Sequence, residues 1–171
     1  MIKVLPIVRE VYPGAKFGIM IASGLTAASE RSGMDTLKSA EIDRIKTEHK
    51  GYERKTVLNS KPICYYAAYY KKFKKTYPVL LQLESILLKN KGIPNAGVPV
   101  ESMFLAEVNN LLLTAGHDLN HINGILMLNI AAGTVNVDGV TEEQICKHLE
   151  NIRGYLLTAV PHVEIQTIEV Y

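Results

Sequence analysis

Between Lys61 and Lys75 the chain carries five lysines, five aromatic rings (Tyr65, Tyr66, Tyr69, Tyr70 and Phe73) and no acidic residue. Ammonium groups neutralise phosphates and aromatic faces stack on unpaired bases, so this mixture suits an RNA surface. Lys71, Lys72, Lys74 and Lys75 are its densest part and the candidate phosphate contacts. The same residues equally suit an amphipathic helix whose aromatics are core and whose lysines are solvated. Residue type alone leaves both readings open.

His117 and His121 stand four residues apart, a spacing that puts two imidazoles on one face of an α-helix and supplies half a zinc site. Glu107 and His148 are the available completing ligands. Gly116 marks a helix boundary just before the pair, however, and Asp118 or Asn120 then caps the following turn, which makes the histidines structural. No metal site and no cofactor are expected. No catalytic residues emerge either. Cys64 and Cys146 lie far apart, outside any nucleophile or redox motif, and Ser23-Gly24 and Ser32-Gly33 lack a nucleophile elbow. Phosphate-cradling glycine loops are absent.

Hydrophobic periodicity supplies the elements that would position these groups. Ile2 to Val8 and Phe17 to Ala22 read as strands, and residues 36–55 as an exposed helix anchored by Leu37, Ile42 and Ile45. Pro62 opens a helix that buries Ile63, Tyr66, Ala67, Tyr70 and Phe73 along one face. After Tyr77-Pro78 a second helix runs through Leu80, Leu83 and Leu87 until Gly92 and Pro94 end it. A third covers Val100 to Leu113 and ends at Gly116. Asn123-Gly124 then turns the chain into a strand over 125–131. Thr141 and Gln144 form a capping box for a helix through Ile145, Leu149, Ile152 and Leu156. Pro161 limits it, and Val163 to Tyr171 closes as a strand. The sum is a mixed α/β domain of the α+β kind.

The 171 residues, 47% of them hydrophobic, can bury one core, so a single domain over 1–171 is expected. A net charge of +2 makes the whole chain no general polyanion binder, so any nucleic-acid role rests on local clustering. Two isolated cysteines suit a reducing compartment, and nothing resembles a signal peptide or a membrane span. A cytoplasmic location without membrane contact is expected.

The run Tyr69 to Pro78, then Leu83-Glu84-Ser85-Ile86 and Gly92-Ile93-Pro94, resembles the opening of the B3/B4 domain, the tRNA-binding and editing domain of the bacterial phenylalanyl-tRNA synthetase beta subunit. Glu107 to Leu119 and Ile122-Asn123-Gly124 continue the resemblance, with Asn109, Gly116, Asp118 and Gly124 at matched positions; the well-matched part is 61–132. It implies a stand-alone B3/B4-like domain with tRNA or aminoacyl-tRNA as partner, and a cleft in which Asn109 and Asp118 meet the ligand. An amino-acid-like small molecule is the alternative partner. The family's Gly-x-Pro-x-His-x-Phe-Asp loop is missing, because Gly116 runs directly into His117-Asp118. The family's glutamate in a glycine-rich segment has no counterpart after Gly133. These departures imply binding without efficient hydrolysis.

Overall fold

The computed structural model describes residues 2–14, 16–25, 31–128 and 141–170. Strand β1 spans Ile2–Val4 and is followed at once by helix α1, Pro6–Val11. The expected strand to Val8 is therefore corrected. Pro6 sits in the first turn of α1, where its missing N–H is no loss and its fixed φ suits a helix. Strand β2 spans Gly18–Ser23 and is half-buried from Ile19 onward.

Helix α2 covers Arg31–Glu48, starting and ending earlier than the 36–55 expected, and is largely exposed, held to the core along one stripe as the sequence suggests. Met34 and Ile45 are fully buried and Leu37 and Ile42 half-buried on one side of it. Gly51, at φ +77°, breaks the chain before a short helix α3, Arg54–Leu58.

The proline-led helices follow as the sequence suggests. Helix α4 is Ile63–Lys72, α5 is Pro78–Lys89 and α6 is Val98–Asn110. Their ends differ from expectation. Asn90, in the left-handed region at φ 50°, stops α5 before Gly92. Leu111, also left-handed at φ 59°, stops α6 well before Gly116. A leucine in that conformation costs roughly 1–2 kcal/mol, and the Tyr77 hydroxyl donating to the Leu111 carbonyl at 3.0 Å helps to hold it.

A 3₁₀ turn at Leu119–His121 and Gly124 at φ +95° lead into strand β3, Leu126–Leu128. The remainder of the expected strand, 129–131, lies outside the described residues, as does 133–140, where the glutamate segment was sought. The capping box forms as read: the Gln144 amide N–H donates to Thr141 Oγ1 at 3.2 Å, and the Thr141 amide N–H donates to Gln144 Oε1 at 2.8 Å. It opens helix α7, Glu142–Ala159, and strand β4 is Glu164–Val170.

The described chain is thus mixed α plus β and mostly helical. β1 pairs with β3 in parallel, Lys3 opposite Met127. β2 pairs with β4 antiparallel, Gly18 opposite Val170 and Ser23 opposite Glu164, with an irregularity between Ile21 and Ala22. No helix among the described residues is long and apolar enough to cross a membrane.

Helix α6 lies at the centre of the core. Its Leu105 and Ala106 pack with Met34 of α2 and with Ile152, Leu156 and Ala159 of α7. Its Val108 packs with Ile45 of α2 and with Leu83 and Ile86 of α5. A third cluster of Ile63, Tyr77, Val79 and Leu80 fastens α4 to α5. Each fully buried leucine or isoleucine contributes about 2 kcal/mol.

Helix α7 crosses β2 so closely that a Cβ on Gly18 would lie 2.3 Å from Ile145 Cγ2 and 3.0 Å from Leu149 Cδ1. Gly18→Ala is therefore expected to lower stability by about 1–3 kcal/mol in urea denaturation, because the Cγ2 methyl is carried directly on the branched Cβ of Ile145 and has little room to move. An unchanged midpoint would show that β2 and α7 are not in this contact.

Candidate functional site

The lysine-aromatic segment divides between the two readings open to it. Tyr77 is fully buried and stacks on Tyr66, with ring centroids 4.6 Å apart and an interplanar angle of 3°. Tyr70 tilts against Tyr77 at 5.6 Å, Tyr69 meets Tyr70 edge-on at 5.4 Å, and Phe73 meets Tyr69 at 5.3 Å. The rings form one series leading from the core to the surface, and its last member, Phe73, is 43% exposed. The expectation that Phe73 is buried is corrected. It lies one residue past the end of α4, where the helix has turned away from the core.

Lys71, Lys72, Lys74 and Lys75 are all exposed. The backbone carrying them is a hydrogen-bonded turn: the Lys74 amide N–H donates to the Lys71 carbonyl at 3.0 Å and that of Lys75 to the Tyr70 carbonyl at 3.1 Å. Lys74 takes a left-handed φ of 55° to close it. Among the described residues no carboxylate forms an ion pair with any of the four lysines. This leaves their charge available to an external anion.

Asn109 and Asp118, the expected cleft pair, belong to different arrangements. Asn109 donates through Nδ2 to Glu41 at 2.7 Å and to the Tyr155 hydroxyl, and it accepts from Arg44 at Oδ1. Its donors are both engaged, and it joins α6 to α2 and α7. Burial, with the Glu41 carboxylate beside it, raises the Tyr155 phenol to about 12. Glu41, Arg44 and Tyr155 were not singled out from sequence, and no local motif could have found partners so distant in the chain. Asp118 is exposed and caps the 3₁₀ turn, accepting from the Asn120 amide N–H at 2.9 Å.

The α-helix that would bring His117 and His121 onto one face does not form. His117 precedes the 3₁₀ turn and His121 is its last residue, so the two do not share an α-helical register, and both are exposed. His121 Nε2 lies 3.6 Å from Asp118. Among the described residues no three histidine, cysteine or acidic side chains converge.

Glu107 and His148 are both buried and meet through Thr114 instead. The Thr114 amide N–H donates to Glu107 Oε1 at 2.8 Å, and its hydroxyl lies 2.6 Å from His148 Nε2. Asn110 Nδ2 of α6 lies 3.4 Å from His148 Nδ1, on the other side of the ring. Burial lowers the His148 pKa to about 4, so the imidazole is neutral and Nε2 can accept from the threonine hydroxyl. Burial raises the Glu107 pKa, opposed by the bonds from Thr114 and Gln82. Together these groups tie the chain leaving α6 to α7.

Beside them, Leu81, Gln82, Ile86, Ile93, Pro94 and Phe104 line a hollow of about 260 Å³ between α5 and α6. Gln82 Oε1 is buried there without a hydrogen-bond partner. No protein-family model, curated protein or solved structure matches the chain.

His148 gives the fold a definite pH response. Unfolded, it takes up a proton near its ordinary value of 6.5; folded, only near about 4. Between those values the unfolded chain binds more protons, so this group's contribution to stability falls as the pH drops through the window. Glu107 acts in the opposite sense, because the folded chain takes its proton first. Denaturation of the parent and of His148→Gln from about pH 7 to about pH 4 isolates the histidine. The parent should lose on the order of 2–3 kcal/mol relative to the variant. A constant gap would show that His148 is not held neutral.

Proposed function

We propose that the chain is an RNA-interacting domain of B3/B4 type, that tRNA or aminoacyl-tRNA is its partner, and that it binds without efficient hydrolysis. The observation that carries this reading is the turn of Lys71, Lys72, Lys74 and Lys75, exposed and without carboxylate partners among the described residues. Four unpaired ammonium groups within five residues attract a polyanion, although the chain as a whole is near neutrality. The order of α4, α5, α6 and β3, with Gly124 turning the chain into the strand, suits the resemblance in the sequence. The engagement of Asn109 by Glu41, Arg44 and Tyr155 speaks against hydrolysis at that position, since the Glu41 carboxylate beside it is already paired and not free to activate water.

One observation favours a small-molecule reading. The hollow between α5 and α6 is of amino-acid size and is lined mainly by apolar side chains.

Titration with unfractionated tRNA at about 50 and about 200 mM salt decides between them. On the RNA reading, affinity falls by at least ten-fold (roughly the loss of a few released counterions) across that range. Changing Lys71, Lys72, Lys74 and Lys75 together to glutamine weakens binding while leaving the melting temperature unchanged. Absence of binding by the parent at low salt, with a hydrophobic amino acid instead perturbing Ile86 and Phe104 in NMR spectra, replaces the RNA reading with the small-molecule one.

A further inference from the structure

We infer that Phe73 is a stacking platform for an unpaired nucleobase, so that the lysine turn takes single-stranded rather than duplex nucleic acid. The inference rests on the RNA reading above and specifies its substrate class. Phe73 is the one aromatic ring within the exposed run 71–76, and two lysines precede and two follow it. Unlike the tyrosines beneath it, it has no polar atom, so its ring face is all it can offer a partner.

The ring is also fixed in advance. Its backbone N–H donates to the Tyr70 carbonyl at 3.0 Å, and its ring is set at 60° against Tyr69. Tyr69 in turn rests on Tyr70, and Tyr70 on the fully buried Tyr77. Little side-chain freedom remains to be lost when a base lands on the exposed face. In a duplex the faces of the bases are already covered by their neighbours, and only phosphates reach the protein, so Phe73 would add nothing. In a single strand one base can cover the phenyl ring while the flanking phosphates meet the lysines. An anionic membrane is the competing polyanion, but insertion draws on a broad apolar face, and residues 71–76 expose a single ring.

The test uses fluorescence anisotropy at low salt with oligoadenylate RNA of about 12 nucleotides, the same strand in duplex, and an abasic strand of equal length. The parent should bind the oligoadenylate about ten-fold or more tightly than either of the others. Phe73→Leu, which keeps apolar bulk but loses the aromatic face, should fall to the abasic level and leave abasic binding unchanged. The four-lysine variant should weaken all three. Equal parent affinity for the three probes, with Phe73→Leu unchanged, overturns the platform but leaves a phosphate-binding RNA surface. No binding of any probe by the parent removes the RNA reading itself. Binding confined to phosphatidylserine vesicles overturns both and assigns the patch to a membrane.

Discussion

The Glu101 carboxylate is fully buried between α2 and α6, and most of the architecture depends on its being paired there. Lys38 approaches it at 2.7 Å, and the Ala96 and Gly97 amide N–H groups donate to its other oxygen at 3.0 and 2.9 Å. Burial works against the Lys38 ammonium, yet its bonds to Glu101 and Asp35 outweigh this and its pKa is raised. A carboxylate left alone in such a place would cost several kcal/mol, so the loop before α6 and the first turns of α2 are held together. The helix is thereby fixed in rotation and depth. Leu105 and Val108 then enter the core, and Glu107, Asn109 and Asn110 reach α7, α2 and the chain beyond Leu111.

What can be read from the sequence follows from the range of the forces involved. The capping box at Thr141 and the helices led by Pro62 and Pro78 depend on residues within a few positions, and they form as the residues suggest. The basic, acid-free character of 61–75 is equally local. The failures are those in which distant groups decide. Leu111 ends α6 against its own preference because Tyr77 holds its carbonyl. Lys38 is buried on the otherwise largely exposed α2 because it finds Glu101, which no charge pattern within α2 reveals. Asn109 appeared free to meet a ligand until Glu41 and Tyr155 were found around it. The misread at Pro6 is different in kind: proline punctuates a strand and opens a helix with the same geometry, and spacing alone does not choose.

These constraints separate a rigid interior from a simple exterior. The polar joints at Glu101, Asn109 and Thr114 are consumed in holding helices together, and their partners are internal. The lysine turn contributes nothing to the core except through the tyrosines behind it. Its composition can therefore follow the demands of a partner, while the rings beneath it keep its position.

The pairing of β2 with β4 has a kinetic side. The two strands are separated by more than a hundred residues, and all of α2 to α7 lies between them. During synthesis β2 leaves the ribosome before β4 and waits on the order of ten seconds for its partner. Over that interval its hydrogen-bonding edge and the apolar face that later meets α7 are open to other chains. Helix α7, which covers β2, is itself made only shortly before β4, so both the partner and the cover of β2 arrive late, across a long loop. Crowded nascent chains would therefore be most vulnerable to mispairing at β2.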